Sequence, residues 1–529
     1  MITEIEAENV RVFEGKNYKF KLSALTVFCG TNSSGKSTLL KLLPMLRQSI
    51  ERSGGVAGEG RLCYSGSLVD MGNYQSLVSH NEVARDIHLS ISMDRELRSD
   101  QYNHLMSIRR KKNKQNSNSD STTVRCTIMA KFQFSGKSPQ ANPDLNEQND
   151  RLVKAEYSLI HNDIHLLNWT ATLRSKEDKH DLGSDYKLSI PTGFFRHVGG
   201  FELMDIAPHK KGAKFVEVGV RMNSVVPRFI WAKRKSTRTT ETSTDKQPRA
   251  NYTLLPLPPF IETTCNMIES QLAVDYIAPL RASAKRYSIA HSASDRELDP
   301  AGELLPIFLK SRRTQKRLVQ NVRLGQNSAT SESLIDAVNY WLGYLRSGHG
   351  EVKRDSEIEI ATTRDILIEF KVRSVNGNEF HSMADSGFGY SQIFPIIVRG
   401  LLMKKDGTLL IEQPELHLNP SLQVRLADFL FSLIRAGKQL IIETHSEHIV
   451  NALRVLIAED EGSYLSKHCA IYFIDTQAGK APEIHHLSIR EDGTVPEWPK
   501  NFFGEALNLS GRLLRAQRRR IVPSTPQQT

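Results

Sequence analysis

The chain has 529 residues, of which 39% are hydrophobic and 24% charged, and it carries a formal net charge of +11 at pH 7. No apolar run approaches the roughly 18 residues that span a membrane, and the acidic N-terminal sequence has no apolar centre, so we expect neither a transmembrane segment nor a signal peptide. The five cysteines form no C-x-x-C pair, which excludes a disulfide framework and a recognisable zinc site and fits a cytoplasmic protein.

The first predicted elements lead into a glycine-rich loop. Residues 2–20 alternate between apolar and polar side chains, which predicts a β-hairpin. Residues 24–29 form an apolar run typical of a buried strand, and residues 39–50 have the spacing of an amphipathic helix. Between them lies GTNSSGKS at positions 30–37, a complete G-x-x-x-x-G-K-[ST] motif. A strand, a glycine turn and a helix in that order direct backbone N–H groups and the helix dipole at an anion.

This motif predicts a nucleoside triphosphate site. We expect the Lys36 ammonium to reach the β- and γ-phosphates and the Ser37 hydroxyl to bind Mg²⁺. The loop residues assigned to the nucleotide are Gly30, Asn32, Ser33, Ser34, Gly35, Lys36, Ser37 and Thr38. Farther along, Gln75 lies in a turn where it could contact Mg²⁺ or water, although a single glutamine in a turn is more often plain polar surface.

Alternating patterns dominate the middle of the chain. Residues 87–131 and 155–173 predict antiparallel strands, and residues 260–274 predict a helix. Residues 331–345 carry apolar side chains at helical spacing, which predicts a helix that faces the core. No heptad repeat is sustained before residue 384, so we expect a compact inserted lobe and no long coiled coil.

The excess positive charge is concentrated in three segments. Residues 109–123 and 233–249 each carry a net charge of +4, and residues 510–529 carry five arginines and no acid. Their few apolar residues predict flexible loops and a disordered tail. Two interpretations of these segments stay open. They are either solvated surface or basic arms that bind the phosphate backbone of a nucleic acid.

Three further motifs follow in a fixed order. The sequence ADSGFGYSQ at 384–392 is a small-residue turn that leads into an apolar helix. An apolar strand over 408–412 then ends in acidic residues, and a second apolar strand over 439–443 is followed by Thr444 and His445. A phosphate loop, a signature turn, an acidic strand and a histidine strand, in this order, match the head of an ABC-type ATPase.

The resemblance is closest to single-chain SMC-like ATPases of the OLD-like and PtuA-like group, which serve bacterial phage defence in Septu and retron-associated systems. It is carried by IEQPELHLNP at 411–420, IIETHSEHI at 441–449, DYIAPLR at 275–281 and PEWPKNFF at 496–503. It implies an α/β fold: an ABC-type P-loop ATPase head with a β-rich flank, an inserted compact α/β lobe and no long coiled coil. The implied domains are the N-terminal half of the head (1–80), the flank and insertion (81–274), a helical lobe (275–383), the C-terminal half of the head (384–509) and the basic tail (510–529).

The resemblance also implies roles for individual residues. Glu412 stands where such ATPases place a magnesium-organising aspartate, and His445 matches the histidine that senses the γ-phosphate. The signature residues are similar to those that contact the γ-phosphate of the opposite protomer; they are Ser386, Gly387 and Gly389. ATP and Mg²⁺ are the implied cofactors, and a head-to-head dimer or a higher oligomer is the implied assembly.

One position departs from that pattern. Gln413 stands where many ABC ATPases carry the glutamate that activates the attacking water, and an amide can orient a water but cannot take its proton. Phosphoryl transfer depends mainly on positioning and electrostatics, so slow hydrolysis is compatible with Gln413. Glu415 could act as a substitute base or could be a carboxylate at a helix start, stabilised by the helix dipole.

Several functions fit these features. The first is a sensor and scaffold ATPase that controls a separate nuclease, which the resemblance implies to be of the HNH type, sometimes beside a retron DNA–RNA product. The OLD-type nuclease needs several acidic residues after the head, whereas the strand at 469–477 offers only Asp475, so we expect no nuclease domain. A non-hydrolysing ATP clamp and a DNA-maintenance ATPase are the alternatives. A membrane-transport ATPase fits poorly, because residues 384–392 are not an L-S-G-G-Q-like motif.

Overall fold

The computed structural model describes most of the chain. The residues outside the description are 16–17, 52–59, 99–120, 135–149, 163, 175–184, 192–214, 234–251, 290–298, 304, 314–317, 327, 349–356, 365–366, 374–378, 387, 478–479, 500–501, 503–508, 510 and 518–529. Most of both predicted basic loops and the last twelve residues of the basic tail therefore lie outside the described residues.

Strands and helices occur along the whole described chain. The strands are β1 (Ile2–Glu8), β2 (Tyr18–Lys21), β3 (Leu25–Gly30), β4 (Ile87–Arg98), β5 (Ser121–Phe134), β6 (Asp150–His161), β7 (Ile164–Leu173), β8 (Tyr186–Pro191), β9 (Phe215–Asn223), β10 (Val226–Lys233), β11 (Tyr252–Pro256), β12 (Asp275–Ile277), β13 (Ser288–Ile289), β14 (Leu318–Asn321), β15 (Thr330–Ser333), β16 (Ile358–Thr363), β17 (Leu367–Arg373), β18 (Phe380–Ser382), β19 (Thr408–Glu412), β20 (Gln439–Glu443), β21 (Cys469–Asp475) and β22 (Glu483–Leu487). The helices are α1 (Lys36–Glu51), α2 (Tyr74–Leu77), α3 (Pro259–Leu272), α4 (Leu305–Arg313), α5 (Leu334–Ser347), α6 (Phe388–Leu402), α7 (Pro420–Arg435), α8 (Glu447–Glu459) and α9 (Tyr464–His468).

A ten-stranded antiparallel sheet forms the β-rich flank. Its strand order is β11-β10-β9-β8-β7-β6-β5-β4-β1-β2, so the N-terminal hairpin and the middle of the chain share one sheet. On β5, side chains from Val124 to Phe132 alternate between buried and more exposed positions, as expected for a sheet with one face on the core. The predicted N-terminal hairpin and the predicted strands of the middle region are confirmed.

A six-stranded, mostly parallel sheet forms the centre of the head. Its order is β12-β19-β20-β3-β21-β22, with only β22 antiparallel to its neighbour. Every residue of β19 and β20 is buried, which explains their continuous apolar runs, because helices or another sheet cover both faces of a parallel sheet.

Two hydrophobic cores lie on the two faces of the parallel sheet. On β19, Leu410 packs into the core shared with the ten-stranded sheet, α1 and α3. Leu409 and Ile411 point the other way, into the core built with α5, α6 and α7. The predicted helix near residues 331–345 is α5, and its buried Leu334, Val338, Trp341 and Leu345 confirm that it faces the core. The parallel sheet is thus packed between the ten-stranded sheet with α1 and α3 on one face and α5, α6 and α7 on the other.

Two details of the predicted basic segments are wrong. Residues 511–517 of the tail are helical rather than disordered, and residues 512–517 are exposed. The leucine, arginine, alanine and glutamine in this stretch are good helix formers. Residues 121–123, predicted as the end of a basic loop, begin β5, where they pair with β4. Among the described residues, no helix is long and apolar enough to cross a membrane.

Candidate nucleotide and metal site

The candidate site lies at the carboxyl ends of the central strands. β3 ends at Gly30, β20 lies beside β3, and β19 lies beside β20. Glu412 and Glu443 end β19 and β20 and are direct partners in the register of this pair. Because carboxyl ends of parallel strands meet at one edge of a sheet, the phosphate loop and both acidic strand ends converge here.

The backbone of the phosphate loop requires its two motif glycines. Gly30 has φ +140°, and a Cβ there would lie 2.0 Å from the Ile474 carbonyl oxygen. Gly35 has φ +91°, and its Cβ would lie 2.6 Å from Val12 and 2.7 Å from Phe13. Side chains are excluded at both positions by conformation and by space. Glycine is therefore required at both motif positions.

Lys36 is buried in the centre of this loop. Its Nζ donates to the carbonyl oxygens of Thr31 (2.6 Å) and Gly30 (3.3 Å) and to the Ser34 hydroxyl (3.1 Å). Burial lowers the pKa of Lys36, whereas the charge of Glu443 raises it. The Lys36 ammonium is thus held by acceptors of its own loop. It can exchange these acceptors for phosphate oxygens.

The next residue of the motif contacts a carboxylate. The Ser37 hydroxyl donates to Glu443 Oε1 at 2.8 Å. Glu443 is 3% exposed, and its Oε2 is buried without a hydrogen-bond partner. Burial raises the pKa of Glu443, opposed by the Ser37 hydrogen bond and by the charges of Lys36 and Lys41.

Glu412 has different partners. Its Oε1 accepts a hydrogen bond from the Tyr276 hydroxyl (2.8 Å), and its Oε2 lies 3.5 Å from Lys41 Nζ. Burial is the main cause that raises the pKa of Glu412 to about 7. Arg281 donates to the main-chain carbonyl oxygens of Glu412 (2.9 Å) and Gln413 (3.3 Å). The arginine of DYIAPLR thus ties its own loop to the end of the acidic strand.

The turn after Glu412 is joined to the end of β20. Gln413 has φ +44°, and its N–H donates to the Glu443 carbonyl oxygen (2.8 Å). Both carboxylate oxygens of Glu415 accept hydrogen bonds, from the Thr444 hydroxyl (2.8 Å) and the His445 N–H (2.7 Å). Glu415 is not a helix-start carboxylate, because α7 begins at Pro420. It connects the two strand ends, and a role as base stays a prediction.

His445 lies beside the phosphate loop. Its side chain is half-buried, and burial, together with the charge of Lys36, lowers its pKa. A neutral imidazole carries one N–H donor and one acceptor. The structure therefore brings Lys36, Ser37, Glu412, Gln413 and His445 to one end of the sheet.

The signature residues lie at the start of α6. Ser386 caps a 3₁₀ turn (Met383–Asp385), and its hydroxyl donates to the Ser382 carbonyl oxygen at 3.1 Å. A Cβ on Gly389 would lie 3.6 Å from the carbonyl oxygen of His417, in the turn after the acidic strand. Gly387 lies outside the described residues.

Thr38 and the segment that precedes and includes α2 are joined by Arg11, an arginine that the sequence reasoning missed. Gln75 is exposed on α2. Arg11 donates to the Thr38 hydroxyl, to the Met71 carbonyl oxygen and to the Ser76 carbonyl oxygen, each at 3.4 Å. The α2 segment is thereby connected to the first turn of α1.

The donor set at this end of the sheet fits a hard divalent cation. A hydroxyl oxygen and two carboxylates are ligands that Mg²⁺ accepts, and Mg²⁺ usually takes the rest of its shell from phosphate oxygens and water. In the described part of the chain, no group of three or more His, Cys, Asp or Glu side chains could hold a metal ion.

Glu443 is the site residue that sequence reasoning missed most clearly. The segment QLIIETHS was assigned for its histidine alone, although a glutamate ends its apolar run. The acidic strand also ends in a glutamate, so both apolar strands carry a carboxylate at the same position. The sequence shows this coincidence, but the pairing of the two strands is known only from the structure.

Comparison with known proteins adds a family match. Residues 283–450 match the family described as AAA ATPase domain, a segment that contains the signature, the acidic strand and His445. This segment of the chain is similar to an ATPase domain. Residues 466–513 match a second family, described as a protein of unknown function (DUF3696). The family match, the phosphate loop and the mostly parallel sheet support the predicted α/β fold of a P-loop ATPase and, with it, nucleotide binding.

Solved structures that are similar to this chain include SMC heads. One is a SmcHead bound to the C-winged helix domain of ScpA, 12% identical with a TM-score of 0.35, covering 93% of this chain and 98% of that one. Another is the Pyrococcus furiosus Smc head domain with an extended coiled coil bound to the C-terminal domain of ScpA, 10% identical with a TM-score of 0.34, covering 98% and 99%. A third is the SMC head domain from Thermotoga maritima, 10% identical with a TM-score of 0.33, covering 92% and 98%. No curated protein matches the chain.

Proposed function

We propose that this protein is an ATP-binding, slowly hydrolysing SMC-like ATPase that acts as sensor and scaffold of a bacterial antiviral defence complex and controls a separate nuclease. The observation that carries the ATPase part is the convergence of the phosphate loop, both acidic strand ends and His445 at one edge of the sheet. The defence role and the HNH-type partner are supported by the OLD-like and PtuA-like motifs.

In this proposal Lys36 binds the β- and γ-phosphates, and Mg²⁺ is held at Ser37 and at a carboxylate that ends one of the two acidic strands. A bound Mg²⁺ would neutralise phosphate charge and orient the γ-phosphate. His445 senses the γ-phosphate, and Gln413 orients a water without accepting its proton. Slow turnover follows from the missing carboxylate at position 413.

Two heads are proposed to pair around ATP, with the signature of one head facing the nucleotide of the other. The exposed stretch 512–517 and the remaining basic segments would contact the phosphate backbone of a nucleic acid, including a retron DNA–RNA product. We place this complex in the cytoplasm. The second candidate function, a clamp that binds ATP without hydrolysing it, is favoured by Gln413 alone.

The test is the ATPase rate of the purified protein with and without DNA or RNA, beside the Lys36→Ala variant. We expect weak turnover that nucleic acid stimulates and that Lys36→Ala abolishes, because the variant loses the phosphate-binding cation. Tight ATP binding with no turnover would favour the clamp. Unchanged activity in Lys36→Ala would contradict the assignment of the phosphate loop.

A further inference from the structure

The two glutamates that end β19 and β20 differ in what their side chains contact. We infer that Glu443, on the strand next to the phosphate loop, is the carboxylate that holds the nucleotide-bound divalent metal with Ser37, while Glu412 is a positioning residue. This inference rests on the proposed ATPase function and deepens it. It changes the assignment that the resemblance implies for Glu412.

The first argument is that Glu443 directly contacts Ser37, the residue that defines the metal position in a phosphate loop. Ser37 Oγ and Glu443 Oε1 lie 2.8 Å apart. The second oxygen, Oε2, is buried and has no hydrogen-bond partner. A buried carboxylate oxygen without a partner is costly, and a divalent cation beside Ser37 would satisfy it.

The second argument is that both oxygens of Glu412 have partners already. The Tyr276 hydroxyl donates to Oε1, and the Lys41 ammonium lies 3.5 Å from Oε2. Tyr276 is itself buried on β12, the strand on the far side of β19. To bind a metal, Glu412 would have to leave these partners, whereas Glu443 would have only to share one hydroxyl with the cation.

The third argument is position in the sheet. β20 pairs directly with β3, and Glu443 is the register partner of Phe28, two residues before Gly30. β19 lies one strand farther from β3. The backbone of Glu443 is also fixed, because its carbonyl oxygen accepts the Gln413 N–H at 2.8 Å. A fixed, adjacent carboxylate is a preorganised ligand.

Glu443→Gln and Glu412→Gln form a matched pair of tests, since each keeps the side-chain shape and replaces a carboxylate oxygen by an amide nitrogen. The probe is a fluorescent N-methylanthraniloyl ATP, titrated once in EDTA and once with Mn²⁺, with Mn²⁺ uptake followed by electron paramagnetic resonance. We expect Glu443→Gln to bind the probe in EDTA as the wild type does. It should lose about tenfold or more of the Mn²⁺ affinity of the protein–nucleotide complex. Glu412→Gln should keep most of that affinity.

The outcomes separate the inference from the function on which it rests. If the wild type fails to bind the probe, or Lys36→Ala binds it equally well, the proposed ATPase function is wrong. If the wild type binds but Glu412→Gln loses Mn²⁺ affinity and Glu443→Gln does not, only the metal assignment is overturned. Thermal unfolding of each variant shows whether it is folded. If Glu443→Gln fails to fold, the second pair of variants is Glu443→Asp and Glu412→Asp, which keep the charge on a shorter side chain. Glu443→Asp should weaken Mn²⁺ uptake more than Glu412→Asp does. The reverse order would overturn the assignment.

Discussion

His445 and His448 stand three residues apart but in different surroundings. His445 is half-buried beside Lys36, and burial, together with the charge of Lys36, lowers the pKa of its imidazole, which favours the neutral form. His448 is exposed on α8. Only the first of these side chains lies near Lys36, where the proposed nucleotide would place its γ-phosphate, and a neutral donor there would cost little reorganisation when charge develops in the transition state.

We therefore expect His445→Ala to reduce single-turnover ATP hydrolysis by about a hundredfold, the typical effect of removing one positioned donor. ATP binding should stay within about threefold of the wild type, because Lys36 and the loop backbone carry the ground-state contacts. Rapid-quench hydrolysis and nucleotide titration measure the two effects. The control is His448→Ala, which should change neither, and equal losses of binding and hydrolysis in His445→Ala would argue against a sensor role.

At the scale of elements, Lys438 joins the start of β20 to the far end of α6. The side chain is 0% exposed. Its Nζ donates to the carbonyl oxygens of Gly400 (2.8 Å) and Leu401 (3.1 Å), in the last turn of α6, and of Gln320 (3.3 Å) in β14. The last carbonyls of a helix have no partner within the helix. Lys438 therefore caps the helix that begins at the signature and connects it to the strand that carries Glu443.

This cap should make stability depend on pH. Burial lowers the pKa of Lys438 from 10.5 to about 7. Between those values the unfolded chain keeps a proton that the folded chain has lost, so the free energy of unfolding rises with pH, by up to about 1.4 kcal/mol per unit. The difference in unfolding free energy between the wild type and Lys438→Met should therefore increase from about pH 7 to about pH 9.

Urea unfolding at several pH values in that range measures this difference. The exposed Lys404→Met serves as the control and should show no such trend. A constant difference between the wild type and Lys438→Met would mean that the three carbonyl acceptors keep the ammonium charged in the folded protein. The capping contact would then stand, but its pH dependence would not.

Elements were far easier to predict from the sequence than the contacts between them. β3, β19 and β20 are continuous apolar runs, and α5 has clear helical spacing, so local patterns suffice for each. The Ser37–Glu443 hydrogen bond joins residues 406 positions apart in the chain. It depends on β20, rather than β19, lying beside β3, and no local pattern contains that strand order. The buried Lys438 was missed for the same reason, since its acceptors belong to elements remote in sequence.

For the whole molecule, the central question is whether two heads pair. The signature turn begins α6, beside the turn that follows Glu412. If ATP bridges this turn to the phosphate loop of a second copy, the small side chain of Ser386 lies where the two copies meet. An arginine there would introduce a bulky charge that the interface has no room to hydrate.

Ser386→Arg should accordingly bind ATP with unchanged affinity but remain a monomer when ATP is added. Light scattering coupled to size-exclusion chromatography, with and without ATP under non-hydrolysing conditions, reads the mass directly. Ser331→Arg is the matched control, because Ser331 is an exposed serine on β15. β15 pairs with β14, and β14 contacts Lys438, which lies at the end of β20 opposite to Glu443. ATP should still raise the mass of this control as it does that of the wild type. If Ser386→Arg pairs equally well, the signature does not face the second nucleotide, and any assembly of this ATPase must use another surface.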